Sequence, residues 1–308
     1  MLDDPLAAQM ALTVMRAEDM FQRLKEPRQQ DKLDPPLDPA IAVAFDLMGY
    51  LAASDALVKL DDRLNRMVLQ PSGSPVFYGF LARSKANPHQ FVAVIRGTGN
   101  LLEWLKDAQG LPVPHDPSNG HVEMGFSSIY GTMTYRAYSG GQFVGAPIRA
   151  SKGIAAALPD GKLTVVGHSL GSALATYLAL DLATIEKMGD RVTTSMFASP
   201  HTGDVPFVHY FDQNVATYTL YNYSRDLVPT VPFALGYAAL PRAVKFTPED
   251  AQAAIEYNPL LPLEIHNVAC QHHAVCYAAM LDFHAADWKT LPPINRDCVA
   301  CIVGPRAD

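Results

Sequence analysis

The sequence predicts an α/β fold, in which a mostly parallel central sheet is flanked by helices and an extra helical layer lies at the N-terminus. Short apolar, β-branched runs at 90–95, 163–166 and 192–197 alternate with stretches of helical period, the order expected of βαβ units. Of the 308 residues, 49% are hydrophobic and 18% charged, which suffices to bury one large core. We expect a single domain with three parts: a helical extension (1–65), a central core (76–284) and a tail (285–308).

The N-terminal extension has helical spacing. Steps of three or four residues separate six apolar positions, Leu6, Met10, Val14, Ala17, Phe21 and Leu24. This predicts a helix over 5–26, which Pro27 ends. A second apolar stretch is interrupted by charges at Asp46, Asp55 and Lys59. We therefore interpret 39–60 as a buried amphipathic helix rather than a membrane span.

The rest of the core alternates between the two kinds of element. We expect strands at 76–83, 90–95, 192–197 and 215–221, and helices at 125–138, 147–158, 247–257 and 272–281.

Charge limits the classes of partner. The chain has 24 basic and 31 acidic residues, a formal net charge of −7, and no basic run. This argues against nucleic acid or an anionic membrane surface as the main partner. The first five residues carry acids where a secretory signal carries Lys or Arg, so we expect no cleavable signal. A cytoplasmic protein, a mature form without its leader and export by a signal-independent route remain open, as does the oligomeric state.

All four cysteines lie near the C-terminus, at Cys270, Cys276, Cys298 and Cys301. The C-x-x-C pair at 298–301 would need two more ligands to hold zinc, from Cys270, Cys276, His272 or His273. A second C-x-x-C is missing, which favours a disulfide or buried thiols over a metal. We expect neither a metal nor an organic cofactor.

One motif concentrates the chemistry. The run at 163–166 stops at Gly167-His168-Ser169-Leu170-Gly171, and small or apolar residues then recur with helical spacing. A strand, a G-x-S-x-G turn and a helix make a nucleophile elbow, the feature typical of the α/β-hydrolase fold. Ser169 is the expected nucleophile. Its place at a helix N-terminus also favours the negative charge that develops on an ester carbonyl under attack.

The α/β-hydrolase order of nucleophile, acid and histidine selects the partners of Ser169. Asp226 follows the predicted strand 215–221 and is the preferred acid, with Asp204 and Asp212 as alternatives. Four histidines come later in the chain: His266, His272, His273 and His284. Either His272 or His273 could project from the start of the helix 272–281, whereas His284 lies at its far end.

The segment after strand 90–95 supplies two further expectations. Thr98 and the backbone N–H of Leu170 are the candidate oxyanion-hole donors. A short amphipathic helix pattern at 100–107 presents Leu101, Leu102, Trp104 and Leu105. It is typical of either a movable lid over an apolar site or a fixed surface helix.

Together these segments resemble the class 3 lipases, from about 77 to 281. The resemblance rests on 94–98 with Trp104 and Asp107, Gly125-Phe126, 167–175, Ala198-Ser199-Pro200, 226–229, and His272 five residues before Tyr277. It implies Ser169 as nucleophile, Asp226 and His272 as its partners, Thr98 and Leu170 as oxyanion hole, and a lid at 101–106. The chain departs from the family pattern at Ser172, often a glycine. It also has Val122-Glu123 where the family often has Val-His, so that histidine's role is absent or passes to His121.

We therefore expect a serine carboxylic ester hydrolase that acts on lipid esters through an acyl-enzyme and contacts a lipid interface transiently. The residues are equally compatible with a phospholipase A1-type toxin or effector. A catalytically silent lipase-like interaction module is a third hypothesis, because a fold alone does not fix an activity.

Overall fold

The computed structural model describes residues 4–24, 33–54, 56–61, 66–71, 74–97, 111–232, 236–247, 271–282, 284–286 and 291, with backbone alone for 56–61 and 66–71. The helices are α1 (Pro5–Leu24), α2 (Pro39–Ala44), α3 (Met124–Gly131), α4 (Ala150–Ala157), α5 (Leu170–Thr184), α6 (Val205–Asn214) and α7 (Ala274–Leu281). The strands are β1 (Phe45–Ala53), β2 (Ala56–Asp61), β3 (Arg66–Pro71), β4 (Val76–Ser84), β5 (Gln90–Ile95), β6 (Pro112–His115), β7 (Gly120–Glu123), β8 (Thr134–Ser139), β9 (Gln142–Arg149), β10 (Lys162–His168), β11 (Val192–Phe197), β12 (Gly203–Asp204), β13 (Thr217–Tyr223), β14 (Tyr237–Ala238) and β15 (Ala243–Phe246).

Nine of the described strands form the central sheet, in the order β15-β13-β11-β10-β5-β4-β1-β8-β9. Neighbours from β15 to β5 run parallel, and those from β5 to β9 run antiparallel. Helices cover both faces: α1 and α7 pack with one apolar core, and α3, α4, α5 and α6 with the other. The predicted α/β fold is confirmed.

Strand β10 lies at the centre of the parallel half, between β5 and β11. Its consecutive residues Val165 and Val166 are both fully buried, one in each apolar core. A strand covered on both faces reads as a continuous apolar run, which is why 163–166 was recognisable. The helix that follows, α5, is apolar all round and buried along nearly its whole length. The nucleophile elbow therefore joins two largely buried elements.

The predicted second helix over 39–60 is wrong beyond Ala44. Phe45–Ala53 forms β1, which pairs with β4 and β8 in the sheet, and Ala56–Asp61 forms β2. The expected helical extension over 1–65 is therefore helical in the described residues only as far as 44. A short apolar run buried in a sheet has no alternation, so its period does not separate strand from helix.

The predicted helices at 125–138 and 147–158 also need correction. The first ends at Gly131, and the second begins at Ala150 because residues up to Arg149 belong to β9. Between them, β8 and β9 form a hairpin whose two-residue turn is Gly140-Gly141, with φ angles of 61° and 81°. Paired glycines at positive φ are the sequence signal of such a turn.

The N-terminal helix is fastened to the rest of the fold by polar contacts as well as by its apolar face. The buried carboxylate of Asp38 caps α2 and accepts hydrogen bonds from Arg16 at 3.1 Å and Arg23 at 2.9 Å. At the other end, the hydroxyl of Tyr221 donates to Asp4 at 2.9 Å. None of the described helices is both long and apolar enough to cross a lipid bilayer.

Candidate active site

The residue Ser169 lies at the sharp turn between β10 and α5. Its backbone has a φ of 58° and a ψ of −129°, a conformation that L-residues rarely adopt. A Cβ at Gly167 would collide with the backbone of Gly171. A Cβ at Gly171 would lie 2.5 Å from the carbonyl oxygen of Arg96, just after β5. The G-x-S-x-G spacing therefore follows from the close approach of strand, turn and helix.

The neighbouring strand β11 holds this turn in place. The carbonyl oxygen of Phe197 accepts hydrogen bonds from the N–H of Ser169 at 2.9 Å and from the hydroxyl of Ser172 at 2.8 Å. Ser172 is the position at which the sequence departs from the family's usual glycine. The departure adds a buried hydrogen bond to the elbow, where bonds of this kind contribute about 1 kcal/mol.

The hydroxyl of Ser169 is buried and uncommitted. The residue is 1% exposed, and among the described residues its Oγ has no hydrogen-bond partner. The N–H of Leu170 is one of the first four of α5, which have no acceptor within their own helix. A reactive oxygen and a backbone donor are therefore adjacent at this edge of the sheet.

Asp226 follows the carboxyl end of β13 and is 3% exposed. Its Oδ2 accepts two hydrogen bonds, from Nδ1 of His272 and from the hydroxyl of Tyr277, both at 2.8 Å. Its Oδ1 accepts a third, from the N–H of Val228 at 2.9 Å. These donors stabilise the ionised carboxylate in its buried position.

The structure separates the two neighbouring histidines at the start of α7. His272 faces Asp226, whereas His273 caps the helix, because its Nδ1 accepts a hydrogen bond from the N–H of Val275 at 3.3 Å. With Nδ1–H donated to Asp226, Nε2 of His272 carries the free lone pair. His272 is thus the histidine that this geometry pairs with the acid.

The alternatives considered from the sequence lie elsewhere. Asp204 caps α6, with Phe207 N–H donating to it at 3.1 Å, and it also contacts the ring of His121 at 3.0 Å. Asp212 pairs with Arg242 at 2.9 Å. His284 comes after the end of α7, where its N–H donates to Asp282. His266 is outside the described residues.

A second histidine, His168, binds the backbone of His272. His168 precedes Ser169, and its Nε2–H donates to the carbonyl oxygen of His272 at 2.6 Å, with the two rings 4.7 Å apart. Burial, with a smaller contribution from nearby His272, lowers the pKa of His168 well below its usual range. The neutral ring thus fixes the backbone of His272 without adding a positive charge beside it.

The sequence predicted no role for His168. It drew attention to Tyr277 only through its spacing from His272. Tyr277 follows His272 by five residues and lies on α7, where its hydroxyl also accepts the N–H of Tyr223 at 3.0 Å. The spacing was visible in the sequence, but the partner of the hydroxyl was not. His168 was visible only as the variable residue of G-x-S-x-G.

The oxyanion and lid expectations fall mainly outside the described part of the chain. Thr98 and the lid candidates Leu101, Leu102, Trp104 and Leu105 are all in 98–110. The loop is described as far as Gly97, where an added Cβ would lie 3.1 Å from Cβ of Ser169. The buried guanidinium of Arg96 donates to the carbonyl of Gly97 at 2.6 Å. The start of this loop is therefore held against the elbow.

Of the four cysteines, Cys276 lies within the described residues. Cys276 is buried on α7, and Cys270, Cys298 and Cys301 lie outside the described residues. Within the described part of the chain, no group of three or more His, Cys, Asp or Glu side chains is arranged to hold a metal ion.

The sheet, the elbow after its central strand and the order of the site residues define an α/β-hydrolase fold. Residues 92–236 match the sequence model of the family described as Lipase (class 3). Over this segment the chain resembles the class 3 lipases.

Individual proteins show the same relationship. Phospholipase A1-II 3 of Oryza sativa subsp. japonica is 29% identical over 242 residues, 66% of this chain and 54% of that protein. A lipase of Rhizomucor miehei is 30% identical over 142 residues, 45% of this chain and 36% of that protein. The chain therefore spans about half the length of the rice phospholipase and about a third of the length of the Rhizomucor miehei lipase. The solved Rhizomucor miehei triacylglyceride lipase shares the fold, with a TM-score of 0.52 at 19% identity over 80% of this chain and 81% of that one.

The capping histidine predicts a pH dependence of stability. Burial and the nearby His272 lower the pKa of His273 from 6.5 to about 4. Between these values the unfolded chain binds the proton and the folded chain does not, so stability present above pH 6.5 is lost as the pH falls towards 4. His273→Asn keeps a capping acceptor but does not titrate. Between pH 7 and pH 5, wild type should lose about 2 kcal/mol more unfolding free energy than the variant, measured by urea denaturation.

The exposed His284 supplies the matched control, because His284→Asn removes a histidine from the same region without touching the cap. It should follow wild type at both pH values. Parallel losses of stability in wild type and His273→Asn would contradict the assignment of His273 as a buried neutral cap.

Proposed function

We propose that the chain is a serine carboxylic ester hydrolase that acts on lipid esters, with Ser169 as nucleophile, His272 as base and Asp226 as the acid that orients it. The observation that carries the proposal is the buried 2.8 Å hydrogen bond between Asp226 and His272 at the same sheet edge as the elbow. The match of residues 92–236 to the family described as Lipase (class 3) supports the lipid-ester class of substrate.

The proposed reaction begins with proton transfer from Oγ of Ser169 to Nε2 of His272 as the oxygen attacks the ester carbonyl. The N–H of Leu170 and the residue Thr98 stabilise the negative charge on the carbonyl oxygen, at about 3 kcal/mol for a donor of this kind. The alcohol leaves with the proton held by His272. Water, activated by the same nitrogen, then attacks the acyl-enzyme and releases the acid.

Asp226 stays ionised throughout this cycle. It holds His272 in the tautomer with Nδ1–H and stabilises the imidazolium that forms after proton transfer. Tyr277 is proposed as a positioning residue, because its hydroxyl donates to the same carboxylate oxygen as His272 does. His168 fixes the backbone of His272 in turn. The base is thus restrained at both its ring and its main chain.

These features favour an active hydrolase over a catalytically silent module. An interaction scaffold has no need for a buried carboxylate that accepts three hydrogen bonds beside a histidine and an unpaired buried hydroxyl, since each costs desolvation free energy. Strained backbone at Ser169 is a further cost that a nucleophile explains.

Removing the nucleophile is the first test. Ser169→Ala should lower hydrolysis of a p-nitrophenyl acyl ester by a factor on the order of 10⁴ or more while leaving the unfolding free energy close to wild type. A fluorophosphonate probe should label wild type at Ser169, because only an activated serine reacts. The control is Ser151→Ala, which removes a buried hydroxyl on α4 that donates to Glu186. Full activity in Ser169→Ala would end the proposal.

The tyrosine gives a separate test. Tyr277→Phe keeps the ring and removes one donor to Asp226, so kcat should fall about tenfold with little change in KM.

The matched control for this variant is Tyr135→Phe, because the hydroxyl of Tyr135 donates to the carbonyl of Met48 on the antiparallel side of the sheet. It should leave both kcat and KM at wild-type values. A rise in KM with kcat unchanged in Tyr277→Phe would contradict the positioning role of the tyrosine.

The class of lipid is a choice between two candidates. A triacylglycerol lipase is the first, and a phospholipase A1 is the second, favoured by the rice relative of that name over 66% of this chain. We expect faster release of acid from tributyrin emulsions than from soluble short esters if an apolar lid covers the site. Release of the sn-1 acyl chain from phosphatidylcholine at a higher kcat/KM than from triacylglycerol would favour the second candidate.

A further inference from the structure

A large cavity lies away from the elbow. It is bounded by α1 and α2 on one side and by the first residues of β5, β10 and β11 on the other, and its volume is about 680 Å³. Cavities of this size hold small organic ligands in many proteins. Its lining lies entirely within the described residues.

The cavity is separate from the candidate active site. Lys162, the first residue of β10, lines it, whereas His168, the last, precedes Ser169. A seven-residue strand spans about 20 Å at about 3.3 Å per residue. The two sites therefore lie at opposite edges of the sheet, so a ligand in this cavity does not compete directly for the hydroxyl of Ser169.

Much of the wall is apolar. Its apolar lining includes Leu6 and Met10 of α1, Ile41 of α2, Phe91 of β5 and, near the C-terminus, Leu291. Leu6 is 67% exposed and Met10 and Phe91 are partly exposed, so part of this wall contacts water. Apolar surface open to water is unfavourable, and a hydrocarbon chain would cover it. The wall alone would suit any apolar ligand.

The charged residues that line the cavity limit which apolar ligands would fit it. Three cationic residues, Arg16, Lys162 and Arg191, line the cavity with one acidic residue, Asp190. Arg16 shares the single carboxylate of Asp38 with Arg23. The cavity thus carries an excess of positive charge in a chain whose formal net charge is −7.

Two of these cations lack a carboxylate partner. Lys162 is exposed and, within the described residues, makes no hydrogen bond or ion pair through its ammonium. The guanidinium of Arg191 donates to the carbonyl oxygens of Leu158 and Pro159, so its charge is not neutralised by an acid in the described part of the chain. Lys162 and Arg191 immediately precede Leu163 and Val192, which are paired across β10 and β11, so the two cationic residues lie at the same end of neighbouring strands.

We propose that this cavity binds a long-chain carboxylate anion, with its hydrocarbon tail along the apolar wall and its carboxylate at Lys162 and Arg191. An inorganic anion would leave the apolar wall exposed, and a neutral lipid would leave the two cations without a partner. A fatty acid anion satisfies both at once. The proposal goes beyond the ester hydrolase activity and does not depend on the reactivity of Ser169.

The test uses the full chain and oleate labelled with ¹³C at its carboxylate, added below its critical micelle concentration and followed by NMR. Wild type should give a saturable, shifted carboxylate signal. Lys162→Glu should weaken binding about tenfold or more, because it replaces a charge-assisted contact by repulsion. Lys152→Glu makes the same change at an exposed lysine on α4 and should bind as wild type does.

A second variant tests the wall. Thr13 lies on α1 and lines the cavity, so Thr13→Phe should narrow it and weaken oleate binding while ester hydrolysis remains at the wild-type rate. If Thr13→Phe fails to fold, Lys162→Glu decides the question alone. Acetate and inorganic phosphate should not displace oleate, because neither has a tail.

Four results would overturn the proposal. The first is the absence of saturable oleate binding, and the second is equal affinity in wild type and Lys162→Glu. The third is displacement by inorganic phosphate, which would indicate a simple anion site. A failure of Ser169 to hydrolyse esters would change none of these measurements, so the two proposals fail independently. Loss of the signal only after alkylphosphonate labelling of Ser169 would place the oleate in the other cleft and would also refute this site.

Discussion

The backbone conformation of Ser169 is the constraint on which the rest of the structure depends. A residue held at a φ of 58° and a ψ of −129° costs on the order of 1–3 kcal/mol, so the surroundings must impose it. They do so from three directions. The carbonyl of Phe197 on β11 binds the N–H of Ser169, the segment after β5 packs against Gly171, and α5 continues the chain as a fully buried helix. The parallel order β5-β10-β11 is what brings these supports together.

The site also depends on parts of the chain outside the family match at 92–236. His272 and Tyr277 come after it, on and just before α7, and α7 packs with α1 in one apolar core. The first described residue, Asp4, donates its N–H to the carbonyl of Leu281 at 3.2 Å. The N-terminal helix therefore supports the helix that carries the proposed base. Helix α1, which lies outside the segment matched by the family model, therefore has a structural role in the fold.

Several elements were predictable because their signals are local. The strand before G-x-S-x-G, the turn itself and the strands β4 and β5 were expected from runs of apolar residues bounded by turn formers. The helix expected over 39–60 failed because Phe45–Ala53 is buried between β4 and β8, and that burial is a long-range property. The hairpin of β8 and β9 was missed although Gly140-Gly141 signals its turn, because the neighbouring apolar spacing also fits a helix.

The sequence by itself determined the nucleophile elbow, the small set of candidate acids and histidines, and the class 3 lipase resemblance. It could not choose between His272 and His273, or give Tyr277 and His168 their partners. Only the tertiary structure decided these points, since it pairs His272 with Asp226 and turns His273 into a helix cap. The physical reason is the separation along the chain between the residues that form each feature. A strained turn is encoded by adjacent residues, whereas a hydrogen bond between residues 226 and 272 exists only once α7 has packed against the sheet that contains β13.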